Sequence, residues 1–331
     1  MRRRDFIALL GGASIASPIA WPSAARAQQA AMPVIGMLHS QTRESEAGRV
    51  AAFQQGLGQS GFVVGRNVAI EHRYADARNS SLPALAAELV ERKVNIILAN
   101  TTPPAIAAKA ATTTIPIVFV TGVDPVEVGL VASVNRPGGN VTGVTFLSNK
   151  LVAKRMELLC EIVPHDAPIG MLAAEHNPNT ATDIRDTAAA ANALRRVLHV
   201  EKVSPQGNDI DAALARLLQQ RIGALFIAPQ ADFRVLRAPI LKFATEHKLP
   251  TSFGSNDQVI GGGLMSYGPD QIDSYREAGV YAGRILKGEK PTALPVLIAT
   301  KFEFAINLKT ATALGVTIPP SLLVLATNVI E

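Results

Sequence analysis

A single cysteine, Cys160, occurs in 331 residues. No internal disulfide can form, and no histidine stands near it at a metal-binding spacing. It reads as a small core side chain on the helix expected around 153–162. Aromatic residues make up only 5% of the chain, and the lone tryptophan, Trp21, falls within the first 27 residues. Nucleic-acid surfaces interleave basic runs with aromatics, and no such run is present. The six histidines (His39, His72, His165, His176, His199 and His247) include no i,i+4 pair and no HExxH. There is no phosphate-cradling GxxxxGK[ST] loop and no GxSxG elbow. Gly261, Gly262 and Gly263 follow no clear strand, so they make a poor dinucleotide fingerprint. Asp183 and Asp186 lie three apart, but Arg185 between them marks a solvated face. No nucleophile, general base, metal set or cofactor motif emerges. An enzymatic reading would rest on analogy of fold alone.

What the chain does have begins at its amino end. Arg2, Arg3 and Arg4 give a positive start, 6–20 is apolar and small, and Ala25-Arg26-Ala27 suits a signal peptidase. Residues 1–27 therefore read as a signal peptide, with the mature chain starting at Gln28. Pro18 and Pro22 break the apolar run, which is too short to span a bilayer. Arg3-Arg4-Asp5-Phe6-Ile7 also resembles a twin-arginine export signal. The leader holds four arginines and one aspartate, so it carries +3 of the formal +5. The mature chain is left near +2, and the high isoelectric point says little about anionic partners. Hydrophobic residues form 48% of the sequence, which suits a globular chain of about two domains.

The stretch Ile115–Thr145 organises the rest. Ile115, Ile117, Val118, Phe119 and Val120 form a β-branched run, as a buried parallel strand does. Asp124-Pro125 has the chemistry of a helix start, with Glu127 placed as a capping acid. Pro137-Gly138-Gly139-Asn140 is a tight turn, and 141–146 reads as the next strand. Strand and helix patterns alternate on both sides of this block. Strands are expected over 34–38, 67–74, 94–99, 169–173, 198–203, 224–228, 250–253 and 296–304. Helices are expected over 46–60, 82–89, 105–111, 182–197, 209–220, 234–247, 271–286 and 307–314. Two βα series of this kind imply an α/β protein with two doubly wound parallel-sheet lobes around a cleft. Polar loops at the carboxyl ends of strands then carry the interest, because open α/β sheets bind ligands at that edge.

The leader MRRRDFIALLGG with ARAQQ, the block IPIVFVTGVDPVEVGLVASVNRPGGNVTGVTF, the segment YREAGVYAGRILKGEKPTALPV and the ending LGVTIPPSLLVLATNVIE carry a resemblance. Together they resemble the ABC-transporter substrate-binding proteins of the tryptophan/tyrosine-binding type, over essentially the whole mature chain. The resemblance implies a periplasmic-binding-protein type I fold, whose two lobes are joined by a three-crossing hinge. Crossings are expected near 144–147, 255–262 and 295–301. Lobe one is then 32–145 plus 258–295, and lobe two 146–257 plus 296–331. By position, the resemblance places ligand contacts at Ser40, Gln41, Thr101, Thr102, Thr121 and Asp124 of lobe one. Lobe two supplies Asn177, Gln230 and Asp257. It further implies a monomeric, non-enzymatic periplasmic receptor with no cofactor, metal or nucleic-acid partner. Its partners are a small organic solute, an amino acid or another carboxylate, and an ABC permease in the inner membrane. The competing readings are a secreted enzyme on a Rossmann-like or flavodoxin-like scaffold, a solute sensor for a membrane signalling protein, and the effector-binding core of a transcription regulator. The export leader stands where the last would need a helix-turn-helix.

Overall fold

The structure is a computed structural model that describes residues 32–331, so the expected leader, its cleavage site and its export route lie outside the described residues. The first half of the chain runs β1 (Val34–His39), α1 (Arg43–Gln59), β2 (Ala69–Tyr74), α2 (Leu82–Glu91), β3 (Ile96–Ala99), α3 (Thr102–Ala111), β4 (Ile117–Thr121) and β5 (Val141–Thr145). It continues with α4 (Val152–Cys160), β6 (Ile169–Ala174), α5 (Thr180–Ala193), β7 (Leu198–Val203), α6 (Ile210–Gln219), β8 (Ala224–Ile227), α7 (Arg237–Glu246) and β9 (Thr251–Phe253). The last third holds α8 (Asn256–Ile260), β10 (Met265–Pro269), α9 (Gln271–Leu286), β11 (Leu297–Ile298), β12 (Phe302–Asn307), α10 (Leu308–Leu314), α11 (Pro320–Leu325) and β13 (Asn328–Ile330).

Two sheets result. The first has the order β11-β5-β4-β3-β1-β2, and the second β13-β12-β10-β9-β8-β6-β7. All pairings are parallel except β10 with β12. Helices cover both faces of the first sheet, so its central strands need no polar side: every residue of β3 and β4 is buried. Phe53 and Leu57 of α1 share one apolar cluster with Tyr275, Ala278 and Ala282 of α9. Leu82 and Leu89 of α2 share another with Ala105 and Ala108 of α3. The second sheet has its own core, which runs from Val152 to Leu322.

Helices α1 and α9 meet backbone to backbone. A Cβ on Gly56 would lie 1.8 Å from the Arg276 carbonyl oxygen, and one on Gly279 would lie 2.1 Å from that of Phe53. Both glycines are therefore fixed by contact rather than by backbone freedom. The pairing matters because α9 follows β10 of the second sheet yet packs on the first.

The chain passes between sheets three times. The first passage follows β5, which ends at Thr145. The second lies at Asp270, between β10 and α9, and not at 255–262. The third lies at Ala299–Lys301, inside the expected 295–301, and splits the expected strand 296–304 into β11 and β12. So β10 belongs to the second sheet and β11 to the first, and the lobe boundaries of 258–295 and 296–331 shift accordingly. The glycine-rich composition of 261–268 conceals β10, and the tail past Leu314 conceals α11 and β13.

The Asp124 helix is also corrected. Asp124 Oδ1 accepts from Val126 N at 2.8 Å, but the turn ends at Gly129, whose φ of 68° leaves the helical region. Residues 122–139 form irregular turns that bury Leu130 and Val131 against β3 and β4.

Candidate functional site

Strands β1, β3 and β4 of one sheet and β6, β8 and β9 of the other end at a shared cleft. Lobe one lines it with Ser40, Asn79, Thr101, Thr102, Phe146, Gln271 and Tyr275. Lobe two lines it with Asn177, Asn179, Gln230, Asp232, Arg234, Ser255 and Gln258. Val120, Pro103 and Pro229 add apolar wall.

Of the contacts expected from sequence, Ser40, Thr101, Thr102, Asn177 and Gln230 line this cleft. Their hydrogen-bonding capacity is partly spent within the protein. Thr101 Oγ1 donates to Ser40 Oγ at 3.0 Å, which leaves the Ser40 proton free. Asn177 Nδ2 donates to Asp232 Oδ2 at 2.7 Å, and its Oδ1 accepts from Asn179 N. Gln230 accepts from Ala174 N and donates to Thr180 and Asp183, so it builds the wall and has no amide atom left over. Helix α3 starts at the cleft, but Pro103 and Pro104 in its first turn have no N–H. Thr102 is the one residue of the three that begin the helix with a donor to offer.

Gln41, Thr121, Asp124 and Asp257 do not line the cleft. Asp257 lies in an adjoining groove and pairs with Arg49 at 3.2 Å. Thr121 is fully buried, with its Oγ1 2.6 Å from that of Thr102 and accepting from Val123 N. Thr121→Val strands the buried Thr102 hydroxyl. It is expected to cost about 1–3 kcal/mol of stability, read by denaturant unfolding, with little change in solute affinity.

The sequence reading missed Asp232, whose position in the Pro229–Asp232 loop was its only signal. Asp232 is 1% exposed, and its Oδ1 makes no hydrogen bond of good geometry among the described residues, although the Gln41 amide is near enough to favour the ionised carboxylate. Burial pushes its carboxyl above the usual range, against the pull of the Asn177 and Gln41 amides and of the Arg234 charge. Gln41 is equally buried behind the cleft, its amide turned toward Asp232, and the cleft-lining Asn79 and Asn179 each leave a side-chain oxygen without a partner among the described residues. Unsatisfied buried polar atoms are costly, and three acceptor oxygens on cleft-lining residues, of Asn79, Asn179 and Asp232, suit a ligand that brings donors.

The family model of the ABC transporter substrate binding protein matches residues 35–330. The chain belongs to this family. A protein of Streptococcus pneumoniae solved in complex with L-Trp is 26% identical, with 90% of this chain and 99% of that one covered and a TM-score of 0.81. A conserved domain protein of Vibrio cholerae is 25% identical over the same shares, with a TM-score of 0.83. A ligand-free, open substrate-binding protein of Clostridium difficile is 24% identical over the same shares, with a TM-score of 0.64. No curated protein matches the sequence. The fold is that of the type I periplasmic binding proteins, and the chain is the solute-binding component of an ABC transporter.

In this substrate-binding protein the layer under Gln230 is charged. Arg155 is 2% exposed, its Nη2 donates to Ile227 O at 2.7 Å and its guanidinium lies 3.8 Å from the centre of the Phe226 ring. Burial pulls Arg155 down to about 9, and burial pushes Asp183, which accepts from Gln230, up to about 7. A carboxyl raised in the folded state holds its proton more tightly than the unfolded chain does. Its contribution is full below about pH 4 and is lost as pH rises through about 7. Asp183→Asn keeps the acceptor for Gln230 and removes the titration. Its melting temperature is expected to fall less than the wild type's between about pH 5 and pH 8 in thermal scans.

Proposed function

We propose that this substrate-binding protein is an exported, non-enzymatic receptor for a small amino-bearing carboxylate, of the amino-acid class, which it delivers to an ABC permease in the inner membrane. The observation that carries the solute class is the buried, unpaired Asp232 Oδ1 in the cleft. A cationic amino group supplies the donor that this oxygen lacks and holds the carboxyl ionised despite its burial. On the facing lobe, the free proton of Ser40 and the backbone N–H of Thr102 suit a carboxylate. Phe146 and Tyr275 place two rings at the cleft of an aromatic-poor chain, and with Val120 and Pro229 they suit an apolar side chain. The 26% identical neighbour holding L-Trp supports the same class.

Thermal-shift and calorimetric titration of the mature protein with α-amino acids, and with their deaminated and decarboxylated analogues, tests this reading. An amino acid is expected to bind and both truncated analogues to bind far more weakly. A deaminated acid that binds as tightly as its parent would overturn it. Amino-terminal sequencing of periplasmic protein, with a start at Gln28 expected, tests export.

A further inference from the structure

The two lobes are joined across the cleft by side chains that need no solute. Arg234 of lobe two donates through Nη1 to Glu46 Oε1 of lobe one at 2.8 Å. The two side chains are 9% and 0% exposed. The other Glu46 oxygen accepts from Asn100 Nδ2 at 2.8 Å, and the same amide nitrogen lies 2.7 Å from His39 Nδ1. Glu46 is thus held in place from within lobe one before Arg234 reaches it. Arg234 Nη2 donates to Gln271 Oε1 at 3.2 Å. That oxygen also accepts from Arg49, whose Nη2 lies 2.8 Å from it and 3.2 Å from Asp257 Oδ2 of lobe two. Two arginines, one from each lobe, therefore converge on a single amide oxygen, and each also reaches a carboxylate of the opposite lobe.

Arg234 ends the 3-10 turn Ala231–Arg234, which also carries Asp232. Whatever holds Arg234 against lobe one also holds the solute-facing carboxylate in place. We propose that Arg234 is a positioning residue: with Glu46, Gln271, Arg49 and Asp257 it forms a clasp that favours the closed arrangement of the lobes before solute enters and slows their reopening after it. Opening breaks three charge-assisted contacts together, Arg234 to Glu46, Arg234 to Gln271 and Arg49 to Asp257, and hydration of the freed charges offsets only part of that loss because Glu46 and Gln271 are already held in place for their partners. The Arg49–Asp257 arm, with the Asp257 side chain 45% exposed, is the weaker one.

The inference rests on the proposed function only in taking the cleft as the place where the lobes part, and its test needs no solute. Small-angle scattering is recorded on the solute-free mature protein, freed of carried-over ligand by unfolding and refolding. Wild type is expected to give a smaller radius of gyration than Arg234→Gln or Glu46→Gln, and Asp257→Asn to fall between. The double variant Glu46→Gln/Arg234→Gln is expected to open no further than either single one, because the same contact is lost once. Circular dichroism establishes that each variant is folded. Should Glu46→Gln fail to fold, Arg234→Gln and Asp257→Asn carry the comparison. Scattering curves that coincide for wild type, Arg234→Gln and Asp257→Asn would overturn the clasp. If no amino-bearing solute binds wild type, the proposed solute class fails while these curves stand unaffected.

Discussion

Replacing Asp232 with asparagine is expected to weaken binding of an amino-bearing solute by about 3 kcal/mol, roughly 100-fold in Kd. The argument is one of partners. Asp232 Oδ2 is engaged by Asn177, while Oδ1 is buried in the cleft wall without a hydrogen bond of good geometry among the described residues. Asparagine keeps one acceptor, so Asn177 can retain its bond and the fold is spared. The negative charge is lost, and a buried solute ammonium is left without a counter-ion. Calorimetry on wild type and Asp232→Asn measures the difference, and unfolding curves show that stability is retained. The pH dependence has a definite sign. Burial raises the Asp232 carboxyl, and only its ionised form holds a cation, so wild-type affinity should fall on acidification sooner than an ordinary carboxylate would dictate. The asparagine variant should lack that acid limb. A variant with wild-type affinity would move the amino-binding role away from Asp232.

Gly56→Ala is expected to destabilise the protein by about 3 kcal/mol, at the upper end for an inserted methyl. The obstacle at 1.8 Å is the backbone carbonyl of Arg276, which cannot rotate aside as a side chain would. Relief requires α9 to move off α1. Gln271 and Tyr275 sit in the first two turns of α9 and line the cleft, so the same displacement should reduce solute affinity. Thermal unfolding should show a loss of roughly 6–12 °C in Tm. Gly58→Ala serves as the control, since a Cβ at Gly58 meets nothing within 4 Å. If Gly56→Ala melts with Gly58→Ala, the close helix contact does not contribute as argued.

The βα alternation was legible because it follows from periodicity and turn chemistry, which are local. Strands β3 and β4 read out directly, since burial on both faces forces near-continuous apolar runs, whereas β5, VTGVT, was legible from the tight turn before it. Strand β10 was not legible: MSYGP has neither alternation nor an apolar run, and it is a strand because β9 and β12 flank it. The Asp124 helix failed for the opposite reason. Its cap chemistry is real, and Asp124 does bond Val126 N, but Gly129 ends the turn before a helix can form. In the cleft, the loops that carry Ser40, Thr101, Asn177 and Gln230 were found from strand ends. Which side chain in each loop is unpaired could not be. Gln230 and Asp232 stand two apart in one loop, and only their partners in space show that the first is satisfied and the second is open.

The interleaving of the lobes also bears on how the protein is made. Thr142 of β5 donates its hydroxyl to the Leu294 carbonyl at 2.7 Å, from a position 152 residues earlier in the chain. Strand β11 and helix α9, which complete the first sheet and one of its faces, emerge near the end of synthesis. An amino-terminal fragment ending after β5 therefore lacks an edge strand and a covering helix, and should not fold by itself. Contacts of such long reach slow folding, because the chain between them must be ordered before they form. The first sheet can therefore be completed only once α9 and β11 have been made.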